Sequence, residues 1–446
     1  MAAIVADDLH SWPMSNPLSV SLLFTLVFSV LLALGLLARF WLATRQIRHV
    51  ALHRGQVPAA FAQNISLAAH QKAADYTITK TRFGLLELAW GTVALLGWTL
   101  LGGLDLLNQL LLSWMGGGMA QQVTLLLAFA LISGVLDLPL TLYQTFVIEE
   151  RFGFNKMSLR LWLIDLLKSS ALGLLIGLPL AALILWLMGA AGQRWWLWAW
   201  CVWTGFNLLL LLIYPSFIAP LFNKFKPLED VAIRARVTAL MQRCGFAAKG
   251  LFVMDGSKRS AHANAYFTGF GASKRVVFFD TLLAKLAPGE VDAVLAHELG
   301  HFKHRHVLKR MLSLFLMSLL AFALLGGLST QAWFFNGLGV QPNLLGLPRT
   351  GALAPTDALA LLLFALTLPV LSFFVAPLMA HYSRRHEFQA DAYAVAHSSG
   401  ADLASALLKL YEDNASTLTP DPLYVRVYYS HPAASERLAR MGGALG

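Results

Sequence analysis

Residues 297–301 read HELGH: two histidines four positions apart, with a glutamate directly after the first. On a helix four residues turn through about 400°, so His297 and His301 share one face and can offer two imidazoles to one tetrahedral ion. Glu298, turned by about 100°, falls beside that ion rather than on it. There a carboxylate can take a proton from zinc-activated water and pass it to the leaving amine. The pattern H-E-x-x-H therefore reads as a zinc peptidase site with Glu298 as general base and one Zn2+ per chain.

A catalytic zinc takes three protein ligands and keeps one position open. His304 and His306 are close in sequence, but three and five residues past His301 they need not point at the ion, and solvated or substrate-facing roles suit them better. A stronger candidate is Glu387 in SRRHEFQADAYAVAH (383–397). Asp391 follows it by four residues on the same helical stretch and can accept a hydrogen bond from a ligand histidine, holding its tautomer. The competing reading pairs both carboxylates with Arg384 and Arg385 at a membrane surface.

These residues sit in a chain of 446 that is 57% apolar and only 13% charged, far from the soluble balance of roughly 25% charged. Runs long enough to cross a bilayer, roughly 20 apolar residues, lie near 18–43, 84–104, 120–147, 163–188, 196–221, 308–334 and 357–381. GLPL (177–180) and YPSFIAP (214–220) mark kinks within them. The first run lacks a basic leader and exceeds a signal peptide in length, so it is expected to remain as an anchor. Cys201 and Cys244 have no partner spacing for a metal knuckle or disulfide framework.

With the amino terminus outside, the outer loops hold only Arg194 and Arg349 of the 34 Lys and Arg. That asymmetry predicts a cytoplasmic zinc site. It also accounts for the net charge of +10 without a nucleic-acid partner, for which no recognition motif exists. The expected division is residues 1–222 with spans one to five, a cytoplasmic insert 223–306 carrying HELGH, spans six and seven within 307–383, and a cytoplasmic tail 384–446 that completes the site. In the insert, 227–246 has helical periodicity, GLFVMDG, NAYFTGF and KRVVFFD look like short strands, and 288–304 reads as a helix.

HELGH followed by SRRHEFQADAYA, with seven spans around them, resembles the type I CAAX prenyl endopeptidases, integral-membrane zinc metalloproteases of the gluzincin type. VIEERFGFNK (147–156), FNKFKPLED (222–230), NAYFTGFG (264–271) and SHPAASERL (430–438) extend that resemblance over most of the chain. It implies a predominantly α-helical multi-pass protein whose seven transmembrane helices enclose a water-filled chamber, capped by a cytoplasmic α+β metallopeptidase region. It further implies His297, His301 and Glu387 as ligands, Glu298 as base, Asp391 in support, Asn264 on substrate backbone, and His431 with Arg437 on the oxyanion. The implied substrate is a peptide or membrane-associated protein at the bilayer, prenylated in the family at large. Richness in Ala, Leu and Gly suggests a bacterial plasma membrane, with the ER membrane as the eukaryotic counterpart. Prenylation is mainly eukaryotic, so the resemblance bears on the bond cleaved more than on the natural substrate.

Two other roles compete. One keeps the chemistry but assigns membrane-protein quality control, as in heat-shock membrane proteases. The other is a transporter or channel with a structural zinc site, using Asp105, Asp137, Asp165 and Lys168 in or beside the spans. A structural site has no use for a positioned base such as Glu298. A proteolytically silent scaffold is disfavoured because none of His297, Glu298, His301 and Glu387 is replaced.

Overall fold

The computed structural model describes residues 17–246, 250–268, 275–343 and 355–442. Arg349, the N-terminal acids Asp7 and Asp8, and the end of NAYFTGFG lie outside these. Long apolar runs close their own backbone hydrogen bonds as helices, the form a bilayer demands. They are α1 (Pro17–His53), α2 (Leu67–Trp98) with a bent continuation α3 (Gly103–Met115), α4 (Met119–Tyr143), α5 (Leu159–Ala190) and α6 (Trp195–Ile213). Among the described residues, five helices are long and apolar enough to span on their own, and up to seven if each of two bent pairs counts as one span. The second expected span, 84–104, is cut at Trp98, where the chain turns by 46° into α3. YPSFIAP does break the regular helix, as a π-turn at 214–218, whereas Pro179 of GLPL sits inside an unbroken α5.

The spans do not pack as a solid bundle. Only 6% of the membrane window of the helix 306–328 is buried, where a helix in a filled core would hide a whole stripe. Between α1, α2 and α4 opens a hollow of about 420 Å³ lined by Leu32, Arg39, Glu87, Phe129 and Asp137. A second hollow of about 640 Å³ adjoins it through Arg39 and Pro369 and reaches Tyr424 of the C-terminal region. The other ionisable residues that suggested transport have partners: Asp165 pairs with Arg259 at 2.8 Å, Lys168 donates to the Leu221 carbonyl, and Asp105 accepts from the Gln341 amide.

After the spans, β1 (Phe225–Pro227), α7 (Val231–Arg243), β2 (Gly250–Met254), β3 (Ala265–Thr268) and β4 (Arg275–Phe279) build a small α+β layer. Its sheet runs β1-β2-β4-β3, with β2 and β4 parallel and the outer pairs antiparallel. Three strands coincide with the alternating runs seen in sequence; β1, three residues long, does not announce itself. Then follow α8 (Pro288–Lys303), α9 (His306–Leu328), α10 (Asp357–Ser372), α11 (Ala376–His397), α12 (Gly400–Asp413), α13 (Pro422–Tyr428) and α14 (Ala434–Gly442). A buried core lies here, where Val237, Phe278, Leu295, Leu299, Ala394 and Leu403 join α7, the sheet, α8, α11 and α12. The candidate site thus rests on a filled core, beside membrane helices that pack around Leu104, Leu185 and Leu363 and leave the two hollows open.

Candidate metal centre

Helix α8 begins at Pro288, which suits a first turn because its missing N–H would be unpaired there anyway. Glu290 reaches back to accept from the Ala287 amide at 2.7 Å. The same buried carboxylate accepts from Ser405 and Lys409 of α12, and these bonds together hold it below the usual range even though burial pushes the other way. The apolar side of α8 is sunk in the core, with Leu295, Ala296 and Leu299 at most 1% exposed. His297 and His301 occupy one remaining side, as a four-residue spacing dictates.

What brings α11 to that side is Gly300. A Cβ added there would come within 2.9 Å of the Ala390 Cα and 3.0 Å of the Tyr393 Cβ. The two helices touch backbone to backbone, which only glycine permits at such a crossing. Glu387 and Asp391, on successive turns of α11, then face the two histidines.

One ligand atom from each of His297, His301 and Glu387 lies within 4.8 Å of the others. Glu387 stands 3.4 Å from both Nε2 atoms, which are 3.2 Å apart. Its Oε2 is buried without a hydrogen-bond partner among the described residues. Two ring nitrogens and an orphaned carboxylate oxygen converging on one point form a donor set that fits a tetrahedral cation with a position left over.

Each histidine is held from behind. His297 Nδ1 donates to Asp391 Oδ1 at 2.9 Å, and Asp391 also accepts Nε and Nη2 of buried Arg437 at 2.8 and 2.6 Å. His301 Nδ1 lies 3.0 Å from His306 Nδ1, and His306 Nε2 lies 2.8 Å from Gln389 Oε1. Burial opposes charge on His297, yet its hydrogen bond to Asp391 and the neighbouring Glu387 carboxylate lift it to about 9; burial, reinforced by His297, drives His301 down to about 3. Burial pushes the Glu298 carboxyl upward, an effect that Glu387 reinforces and His297 and Arg437 oppose.

Asn264, His297, Glu298, Glu387, His431 and Arg437 all line one cavity of about 150 Å³. Asn264 is exposed to it just before β3, one of the two edge strands among the described residues, and its own carbonyl is fixed by the Phe279 amide. His431 Nε2 sits 3.5 Å from Glu387 Oε1. Asn414 contributes from behind by accepting from the Ala263 amide at 3.1 Å, a role its turn-like sequence context does not suggest.

Two expectations need correcting. Arg384 does not pair with Glu387 or Asp391; its guanidinium donates to the carbonyls of Val425, Arg426 and Tyr429. His306 is neither solvated nor facing substrate: it is 4% exposed and packed against His301 and His386. A helix running straight on from α8 would carry His306 to a different side of the axis. Instead Arg305 adopts a left-handed backbone, φ 56°, and the turn swings His306 back to His301.

Residues 46–224 match the family model for the CAAX prenyl protease N-terminal region of five membrane helices, and residues 227–444 match peptidase family M48. The chain is 38% identical over 349 residues to CAAX prenyl protease 1 homolog of Arabidopsis thaliana, covering 76% of each chain. It is 38% identical over 331 residues to CAAX prenyl protease 1 of Saccharomyces cerevisiae, covering 72% of each. Against the human CAAX prenyl protease 1 homolog it is 32% identical over 466 residues, covering 92% of this chain and 94% of that one. The crystal structure of S. mikatae Ste24p superposes with a TM-score of 0.85 at 31% identity, over 94% of this chain and 99% of that one.

Proposed function

The chain belongs to the CAAX prenyl protease group of peptidase family M48 and is an integral-membrane metalloendopeptidase; from that premise we propose that it uses zinc to cleave prenylated peptides or membrane-associated proteins at the cytoplasmic face. The observation that carries this is the convergence of His297, His301 and Glu387 within 4.8 Å beside a cavity that Glu298 also lines. His297 Nε2, His301 Nε2 and Glu387 are the assigned zinc donors, matching the His, His, Glu set of catalytic sites that keep a fourth position open. When bound, zinc supplies Lewis acidity and lowers the pKa of water to about 7.

The chain's own residues do the rest. Glu298, its proton affinity raised by burial, accepts the proton of the attacking water and delivers it to the leaving nitrogen. An extended peptide lies along edge strand β3, with the Asn264 amide pairing to its backbone. His431 and Arg437, which line the same cavity, are assigned the negative charge that grows on the carbonyl oxygen. Asp391 holds the His297 ring and keeps Arg437 in place. The distribution of Lys and Arg supports the cytoplasmic placement of the site; in a bacterial cell the bilayer is the plasma membrane. Every similar protein named above is a CAAX prenyl protease or Ste24p, so neither the quality-control nor the transport role is carried forward.

The test is hydrolysis by purified protein of matched prenylated and unprenylated peptides, with and without a zinc chelator. Chelation is expected to abolish cleavage, and prenylation to raise kcat/KM. Glu298→Ala should keep zinc and lose about 10²- to 10⁴-fold in rate. Wild-type cleavage by Glu298→Ala would remove the proposed base, and equal rates on the two peptides would remove the prenyl preference.

A further inference from the structure

The two histidines of HELGH are supported by unlike partners, and only one of those partners has a role so far. A neutral imidazole carries a single N–H, and which nitrogen bears it is set by what the other nitrogen does. If His301 gives its Nε2 lone pair to a cation, its hydrogen sits on Nδ1. That hydrogen points at His306 Nδ1, 3.0 Å away, which must then be an acceptor. The His306 hydrogen is accordingly on Nε2, 2.8 Å from Gln389 Oε1, a carbonyl oxygen that can only accept. All three groups are satisfied at once, in one direction, with no charge.

We propose that His306 is a positioning residue: it fixes the orientation and tautomer of His301, so that the Nε2 lone pair stays aimed at the ion, and Gln389 fixes the tautomer of His306 in turn. The inference rests on the zinc-site reading above. The surroundings are built for it. His306 is buried, stacked on His386 at 3.9 Å with the rings 11° apart, and flanked by His304 at 5.5 Å on a near-parallel plane. Such stacking stops the ring from turning while leaving both of its nitrogens to the chain His301–His306–Gln389. The left-handed Arg305 between α8 and α9 is what delivers the ring there. A second support of this kind commonly governs metal affinity by about 10- to 100-fold.

The experiment compares zinc affinity in purified full-length protein by competition with a chromophoric chelator, together with the visible absorption of the cobalt-loaded form and the thermal midpoint of the metal-free form. His306→Phe keeps a flat ring in the stack but has no acceptor; it should lose about 10- to 100-fold in zinc affinity and alter the cobalt spectrum. His306→Asn returns an oxygen acceptor near the Nδ1 position and should recover most of both. Zinc affinity and cobalt spectrum unchanged in His306→Phe would overturn the proposal, as would a folded His306→Asn that binds no better than His306→Phe. Should the His306 variants fail to fold, Gln389 decides. Gln389→Lys sets a donor against a donor and should bind zinc more weakly than wild type, and wild-type affinity in that variant would overturn the proposal. Wild-type protein that binds no zinc at all would instead remove the metal-site reading itself.

Discussion

His297 and His301 stand one turn apart on the same helix and face the same point, yet they are held by opposite means. Behind His297 is a buried ionic pair, Asp391 with Arg437. Behind His301 is an uncharged chain through His306 to Gln389, the last of which is exposed. The first arrangement is strong and costly to disturb, because a buried charge that loses its partner is left uncompensated. The second depends on hydrogen-bond direction and ring placement, where water can replace an outer member. One histidine is thus held by charge and the other by hydrogen-bond direction and ring stacking.

The sharpest way to break this contrast is at its charged end. Asp391→Ala is expected to cost about 3–5 kcal/mol of stability by stranding Arg437, read as a fall in thermal midpoint, along with weakened zinc binding. If its effect were no larger than that of His306→Phe, the two arms would be alike. Gly300→Val comes next: Ala390 backbone leaves no room for the side chain, and overpacking of about 1–3 kcal/mol should spread α8 from α11 and weaken zinc binding through both arms together. Arg305→Val should cost about 1–2 kcal/mol, since a branched residue resists the left-handed backbone. Its effect on zinc should vanish in a His306→Phe background, because both act through the neutral arm alone.

The smallest expected effect concerns the helix as a whole. Glu290 is held below its ordinary value, so its contribution is fully present above the unfolded pKa and disappears as pH falls through the lowered folded one. Glu290→Gln should cost about 1 kcal/mol near neutrality and flatten the loss of stability on the acid side. Thermal midpoints of both forms between about pH 3 and 7 would show it. A parallel decline in the two would mean that Glu290 carries no such linkage.

The charged arm is also the one that sequence makes visible. Glu387 and Asp391 announce themselves by the same four-residue spacing that pairs the histidines, because both sets lie on uninterrupted helices where periodicity translates directly into direction. His306 obeys no such rule. Its position depends on one left-handed residue, and Arg305 is not a residue type that signals that conformation. Gly300 is similarly silent: glycine in a helix weakens the helical pattern, and nothing local states that another backbone fills the missing side chain. Asn414 reads as a turn because its partner amide is that of Ala263, distant in sequence. For the membrane part, apolar length locates each span, while bends such as that at Trp98 come from local turn geometry that hydropathy does not register.

The backbone fit of Gly300 on Ala390 bears on how the molecule comes into being. A chain made from its amino end completes HELGH before α9 and α10 exist, and Glu387 follows both. During synthesis the two histidines therefore stand without their carboxylate until the last spans have entered the bilayer and α11 has folded back against Gly300. The proposed third ligand is in this sense a completion signal: the three candidate donors come together only once the last spans are in place.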